Sequence, residues 1–410
     1  MPGGLLQLVA VGEQDQVLTA EPQRTFWQHV YQRHSHFAME SVRQTVTGPV
    51  AYGSTVSVTL GRNGDLVTGL TLELVMKRGA GTPFYPAEHV LKYAELLIGG
   101  QRIDHLTGTW LRLYDELLRP VDSRSAHEAM TNFCTPAGTT QGGTPVGGVK
   151  RFYLSLPFWF CRGDRGAALP LIALQYHDVE LRLTFESSVP GVDASFPLDL
   201  AVYADFVFLG APERRQFAQR PHRYLIEQTQ FLRDTVSVSA SQRARTVVPL
   251  SFNHPVKFLA WVFRPVTGGS HGVFTSSGTG LEDEETYAPL HEALLQCNGT
   301  DMFETRKGSY FRLAHPAPLF GQAPSAGVYA YSFALVPRST NPSGSLNLSR
   351  IDTAQLLLTM KRATLAAAAD ARAEDETLAA ALAMTAVEVF ARSFNVLTVR
   401  AGMGGLAWAS

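Results

Sequence analysis

Apolar and polar residues alternate through much of the chain. Four runs show the pattern most clearly: residues 56–60, 70–76, 180–185 and 356–360. A strand that buries one face and exposes the other produces this period of two. Stretches rich in turn-forming residues separate the runs, among them GRNGD (61–65), GGTPVGG (142–148) and TGGSHG (267–272). Many short strands with such turns predict an all-β sandwich or barrel rather than alternating strands and helices.

Two segments are predicted to be helical. In residues 107–118, Trp110, Leu113, Tyr114 and Leu117 fall at helical spacing and form one apolar stripe. Residues 361–384 are rich in Ala, Leu, Glu and Arg, which have high helix propensity. The alternative for this second, alanine-rich segment is a disordered surface loop.

The chain contains an internal repeat. GTWLRL at 108–113 matches GSYFRL at 308–313, AELLIGGQ at 94–101 resembles ALLQCNGT at 293–300, and VELRLTF at 179–185 resembles AQLLLTM at 354–360. The three similarities occur in the same order, which indicates two copies of one β unit. A length of 410 residues also exceeds what one core usually organises. The basic stretch between the copies, 210–228, is predicted to be a solvated connector.

Composition excludes several functions. The chain has 35 basic and 36 acidic residues, so its net charge of -1 gives no field that would concentrate nucleic acid. The three cysteines, Cys134, Cys161 and Cys297, form no C-x-x-C pair, which argues against a disulfide framework or a zinc site and fits a reducing cytoplasm. The N-terminus lacks the basic region of a signal peptide, and no apolar run is long enough to span a membrane. We therefore expect a protein that is made and kept soluble.

Three motifs resemble catalytic or nucleotide-binding sequences but lack their context. GGSHG at 268–272 fits G-x-S-x-G, yet a loop-like stretch rather than a helix follows Ser270. GGTPVGGVK at 142–150 places Lys150 one residue too late for a phosphate loop, and no hydroxyl residue follows it. GMGGLA at 402–407 has no room for a helix after it. We therefore predict no catalytic residue and no cofactor.

Histidines and sequons give weak candidate sites. His29, His34 and His36 lie close together, but no further metal ligands can be assigned to them, so we predict surface or interface histidines and no metal. HEALL at 291–295 lacks the second histidine of a zinc-binding helix. Asn298 and Asn347 each begin a glycosylation sequon, for which chance occurrence is the default without a signal peptide.

A series of segments resembles the major capsid proteins of the nucleocytoplasmic large DNA viruses, a group that includes iridoviruses and chlorella viruses. They include residues 3–40, RNGDLV (62–67), IGGQRID (98–104), LPFWFCR (156–162), LPLIALQYHDVELRL (169–183), NPSGSLNLSRID (341–352) and FNVLTVRAGMGGLAW (394–408). The segments run in family order from residue 3 to residue 408. This chain departs from the family at Ala20-Glu21-Pro22-Gln23, where Gly-Asn-Pro-Gln is common, and in its alanine-rich insertion.

The resemblance implies an all-β fold of two consecutive eight-stranded antiparallel jelly rolls with small helical insertions. It implies four parts of the chain: an N-terminal segment for inter-subunit and inner-shell contacts (1–24), a first jelly roll (25–209), a connector (210–224) and a second jelly roll (225–410). The helical insertion at 361–384 would fall between the last two strands of the second roll. We expect it on the outer face of the capsid.

The implied function is structural. The chain would form pseudo-hexagonal homotrimers that tile an icosahedral virion capsid, assembled in a viral factory of the host cytoplasm. Its partners would be itself, neighbouring trimers, and minor capsid and penton proteins, with no direct nucleic acid contact and no membrane insertion, although an inner viral membrane could lie close by. The inter-capsomer or minor-protein contacts would come from the N-terminal residues Gly3, Gly4, Leu5, Leu6, Gln7 and Leu8. Two alternatives stay open: a carbohydrate-binding or carbohydrate-active jelly roll, and a minor capsid paralogue.

Overall fold

The computed structural model describes residues 2–80, 85–133, 143–189, 191–237, 245–265, 290–325, 327–360 and 384–408. Ser270 and residues 361–383 of the predicted insertion lie outside these ranges, whereas Met384 begins a strand. The chain divides into two compact units, Met1–His36 and Phe37–Ser410. The first unit contains two short helices, α1 (Gly3–Val9) and α2 (Glu13–Thr19), with no buried residue in either. No described helix is long and apolar enough to cross a membrane.

The first half of the larger unit is an eight-stranded jelly roll. Its strands are β1 (Phe37–Gln44), β2 (Thr55–Thr59), β3 (Leu66–Lys77), β4 (Leu91–Ile98), β5 (Gln101–Thr107), β6 (Val149–Ser155), β7 (Val179–Phe185) and β8 (Asp199–Leu209). They form two antiparallel sheets of order β1-β8-β3-β6 and β2-β7-β4-β5. In β7 every second side chain is buried, from Val179 to Phe185. The predicted alternation therefore marks the strands that face the core.

The second half repeats the same architecture. Its strands are β9 (His222–Ser237), β10 (Arg245–Pro249), β11 (Pro255–Pro265), β12 (Leu290–Cys297), β13 (Thr300–Asp301), β14 (Arg306–Lys307), β15 (Val328–Ser332), β16 (Leu346–Asn347), β17 (Ala354–Met360), β18 (Met384–Arg400) and β19 (Met403–Leu406). One sheet has the order β15-β11-β18-β9, and in it β16 also pairs with β11 and β19 also pairs with β18. The other sheet has the order β10-β17-β12-β13, and in it β14 also pairs with β12. The fold is thus a double jelly roll, as predicted.

Short helices connect the strands. They are α3 (Pro86–His89), α4 (Gly108–Leu117), α5 (Val121–Thr131), α6 (Ala211–Gln219) and α7 (Pro316–Phe320), with a π-helical turn at Tyr310–Ala314 and 3-10 turns at Trp159–Cys161, Arg165–Ala167, Leu171–Ala173 and Leu348–Arg350. Helix α4 agrees with the prediction for residues 107–118. The Thr107 hydroxyl begins it by accepting a hydrogen bond from Trp110 N at 3.1 Å. The basic stretch 210–228 is not a continuous linker, because α6 occupies its first half and β9 begins at His222.

The three internal sequence similarities lie at equivalent positions in the two rolls. AELLIGGQ ends β4 and ALLQCNGT ends β12, whereas VELRLTF is β7 and AQLLLTM is β17. GTWLRL begins α4 after the hairpin of β4 and β5. GSYFRL leads into the π-helical turn Tyr310–Ala314, which follows the hairpin of β12 and β13. The internal repeat therefore corresponds to one jelly roll per copy.

The first glycine of the GTWLRL and GSYFRL segments is required for a close backbone approach. A Cβ atom on Gly108 would lie 2.5 Å from the carbonyl oxygen of Leu91, and one on Gly308 would lie 2.7 Å from the carbonyl oxygen of Leu290. Leu91 and Leu290 are the first residues of the equivalent strands β4 and β12. Only glycine allows this contact without moving main chain.

We expect Gly108→Ala and Gly308→Ala each to lower the free energy of unfolding by about 1–3 kcal/mol, because the added methyl group overpacks against backbone. Denaturant unfolding measures the loss. Gly166→Ala is the control, since its nearest neighbour is the Asp164 carboxylate at 3.3 Å, which can move aside. If the free energy of unfolding fell no more for Gly108→Ala and Gly308→Ala than for Gly166→Ala, the close backbone approach would not explain these two glycines.

Candidate functional site

Aromatic packing joins the two jelly rolls. Trp110 of α4 is fully buried, and its ring centroid lies 6.2 Å from that of Phe258 in β11 and 5.6 Å from that of Phe390 in β18. Phe320 of α7 meets Phe258 edge-on at 5.3 Å. These rings belong to one hydrophobic cluster that fills the first roll and extends into the second. Helix α4 therefore connects the two cores.

A buried carboxylate forms the electrostatic centre of the same junction. Glu227 of β9 accepts a hydrogen bond from Lys257 Nζ on Oε1 at 2.6 Å. Its other oxygen, Oε2, accepts from Arg392 Nε at 3.1 Å and also contacts Arg162 Nη1. Arg162 follows a 3-10 turn of the first roll, whereas Lys257 and Arg392 lie on β11 and β18 of the second. All four side chains are at least nine-tenths buried. Burial lowers the pKa of Lys257, and the Glu227 carboxylate opposes that effect.

A second carboxylate links strand β5 to strand β9. Asp104 Oδ1 accepts from the backbone N–H of Thr229 at 3.0 Å and from that of His105 at 2.9 Å. Burial raises the pKa of Asp104 to about 6, and these hydrogen bonds act in the opposite direction. Gln228 donates to the Ile103 carbonyl beside them. The contacts tie the two rolls together through main chain as well as side chains.

Helix α4 makes another polar bridge at its C-terminal end. The Glu116 carboxylate accepts from Ser325 N at 2.9 Å and from Ser325 Oγ at 3.0 Å, and pairs with Arg112 at 2.6 Å. Gln322 Nε2 donates to the Glu116 carbonyl at 2.5 Å. Residues 322–325 belong to the second roll. The larger unit is accordingly one compact block in which these contacts connect the two rolls.

The N-terminal unit presents apolar side chains to solvent. The six residues predicted to contact neighbours all lie in α1, where Leu6 and Leu8 are 64% and 74% exposed. Further along, Trp27 is 97% exposed, together with Val11, Val17, Leu18, Phe26, Val30 and Tyr31. Monomeric proteins rarely leave so many neighbouring apolar residues uncovered. A role of these residues in contacts stays a prediction, and the sequence analysis did not predict the two helices of the segment.

The two sequon asparagines are exposed and take part in turns. Asn298 has a positive φ of 49° between β12 and β13, and its Oδ1 accepts from Thr353 N at 3.0 Å. Asn347 Oδ1 accepts from Ser349 N at 3.1 Å, and Ser349 Oγ in turn accepts from His254 N at 2.7 Å. Each sequon asparagine therefore stabilises a turn through its side chain. Glycosylation of Asn298 and Asn347 stays a prediction.

The remaining sequence motifs have structural roles. Lys150 lies on β6, where its Nζ donates to the Ala129 carbonyl at 2.9 Å. GMGGLA forms the turn and edge strand β19, and HEALL lies in β12 rather than in a helix. Burial raises the pKa of the Cys161 thiol and of the Cys297 thiol, which disfavours the reactive thiolate form of both. Cys134 lies outside the described residues, and His29, His34 and His36 belong to the N-terminal unit.

A double jelly roll joined by a buried charged and aromatic junction, with many exposed apolar residues in its N-terminal segment, has the features of a structural building block. Comparison with known families agrees. The profile described as major capsid protein N-terminus matches residues 25–210, and the profile described as large eukaryotic DNA virus major capsid protein matches residues 213–405. The chain belongs to this family of viral major capsid proteins.

Individual relatives support the assignment. A major capsid protein of Paramecium bursaria Chlorella virus 1 is 43% identical, and one of Pyramimonas orientalis virus is 37% identical, each over the full length of both chains. The crystal structure of VP54 from the chlorella virus PBCV-1 is 40% identical, with a TM-score of 0.83 over 94% of this chain and all of that one. The Faustovirus major capsid protein, at 12% identity, shares the fold with a TM-score of 0.69 over 95% of this chain and 94% of that one. The chain is thus a structural component of a virion capsid and not an enzyme.

Proposed function

We propose that three copies of the chain form a pseudo-hexagonal capsomer and that these trimers tile an icosahedral shell. The observation that carries the proposal is the fusion of two rolls of identical strand order into one block. Each copy then offers two similar units, so a threefold ring presents six similar units around its axis. The likeness to a chain of the PBCV-1 virus capsid, with 40% identity and a TM-score of 0.82, supports it.

Light scattering of the purified chain tests the trimer. We expect a mass three times the 44.8 kDa of one chain, unchanged by dilution, because permanent interfaces of this kind bury on the order of 2,000 Å² or more. A monomeric mass at micromolar concentration would contradict the proposal. It would favour instead the carbohydrate-binding alternative.

We propose further that α1, with Gly3, Gly4, Leu5, Leu6, Gln7 and Leu8, contacts neighbouring capsomers or minor capsid and penton proteins. The exposed leucines support this proposal, since burying one leucine side chain contributes about 1.5–3 kcal/mol. The contact would lie on the inner side of the shell, where an inner viral membrane could be close without being entered.

Deleting residues 1–20 is expected to leave the trimer mass unchanged and to impair shell assembly, because the deleted helices contain no buried residue. Electron microscopy of assembled shells, alongside light scattering, measures the two effects. A triple substitution of Leu5, Leu6 and Leu8 by serine should have the same effect without shortening the chain, and Gln14→Ser on α2, outside the proposed contact residues, is its control. Loss of the trimer on deletion would argue against a role confined to assembly.

The parts of the chain and its place of assembly complete the proposal. We take residues 25–209 and 225–410 as the rolls, although β9 already begins within the connector 210–224.

The free thiols of Cys161 and Cys297 support assembly in the reducing host cytoplasm, in a viral factory. The insertion at 361–384 would decorate the outer face of the shell. Asn298 and Asn347 remain candidate glycosylation sites.

A further inference from the structure

Three short helices bring three potential metal ligands together inside the first roll. Glu88 lies on α3, Asp115 on α4 and His127 on α5, and all three are buried. One ligand atom from each lies within 4.8 Å of the others. His127 Nε2 is 3.1 Å from Glu88 Oε1 and also contacts Asp115 Oδ2. The cluster plays no part in the junction contacts centred on Glu227.

The charge of this cluster requires compensation. The two carboxyl groups of Glu88 and Asp115 lie close together away from water, where two negative charges are unfavourable. Glu88 is completely buried, and its Oε2 has no hydrogen-bond partner among the described residues. A buried carboxylate oxygen without a donor is costly unless a cation lies against it.

A neighbouring group orients one of the three ligands. Arg119 Nε donates to Asp115 Oδ1 at 2.5 Å, on the oxygen that faces away from His127. Arg112, the other cation nearby, is paired with Glu116 at 2.6 Å and also interacts electrostatically with Glu88. Hydrogen bonds of this kind to the residues that hold a metal fix their geometry in metalloproteins.

We propose that Glu88, Asp115 and His127 form a buried structural site for a divalent cation of the zinc class. One imidazole nitrogen and two carboxylate oxygens are ligands that zinc accepts, and Glu88 Oε2 or a water supplies a fourth. The cation fastens α3 and α5 to α4, whose Glu116 binds Ser325 of the second roll. The proposal does not depend on trimer formation. It differs from the sequence analysis, which predicted no metal site.

Zinc titration of the full-length, chelator-treated protein against a chromophoric competitor tests the site. We expect one tight site per chain and a rise in the thermal midpoint on zinc addition. Glu88→Gln and His127→Gln, each checked for fold by circular dichroism, should weaken binding on the order of 100-fold or more, because even an outer-shell partner is worth up to about that factor. The double variant His34→Gln, His36→Gln is the control, since it removes exposed histidines of the N-terminal unit.

Anomalous diffraction at the zinc edge keeps the test independent of variant folding. A peak between α3, α4 and α5 supports the proposal. A full-length protein that binds no zinc tightly would overturn it, leaving a protonated His127 as the group that bridges the two carboxylates. Tight binding that Glu88→Gln leaves unchanged, or that the His34 and His36 substitutions abolish, would also overturn it, because the metal would then lie elsewhere.

Discussion

Replacing Glu227 by glutamine is expected to lower the free energy of unfolding by about 3–5 kcal/mol, the usual loss when one partner of a buried ion pair is removed. Three cationic side chains, those of Arg162, Lys257 and Arg392, would lose the carboxylate that compensates their burial. Glutamine keeps the size of the side chain, so the loss would report the charge rather than a cavity. Denaturant unfolding of the purified protein at fixed concentration, followed by tryptophan fluorescence, measures the loss.

The control for Glu227 is a carboxylate on the surface. Glu180 and Arg182 form an exposed pair at 3.4 Å, with side chains 32% and 41% exposed. We expect Glu180→Gln to change the free energy of unfolding by about 0–1 kcal/mol, because solvent screens such pairs. If Glu227→Gln were as mild as Glu180→Gln, the electrostatic account of the junction would be wrong.

Trp110→Ala is expected to lower the free energy of unfolding by about 3–5 kcal/mol, since it removes the largest side chain between the rolls and leaves a cavity against Phe258 and Phe390. The same unfolding measurement applies, and both rolls should lose stability together because the ring contacts each of them. Trp408→Ala is the matched control, as that side chain is 56% exposed. A separate early transition of one roll would show that Trp110 supports only its own half.

Much of the fold could be predicted because it rests on local patterns. The alternation in residues 179–185 and 354–360 identifies β7 and β17, and the apolar stripe in 107–118 identifies α4. The order of the strands came from the resemblance to a family. Helices α1 and α5 were not predicted, since α1 is short and α5 carries polar residues around most of its surface.

The junction could not be predicted from spacing, because its partners are far apart in the chain. Arg162 and Glu227 are separated by 65 residues, and Glu227 and Arg392 by 165. One signal was present: Lys257 lies between the apolar residues Val256 and Phe258 of strand β11. A charge in that position indicates a buried partner without saying which residue provides it. The same holds for Glu88, Asp115 and His127, whose helices meet only in the folded chain.

The junction also makes the two halves unequal. They share one strand order, yet the first contributes Asp104 and Arg162 to the contact and the second contributes Glu227, Lys257 and Arg392. A chain built from two copies of either half would lack both ion pairs that connect the halves, Arg162–Glu227 and Asp104–Arg392. The two halves therefore share one strand order but are chemically different, so they cannot be exchanged, and a chain in the proposed trimer would present two different sides to its neighbours.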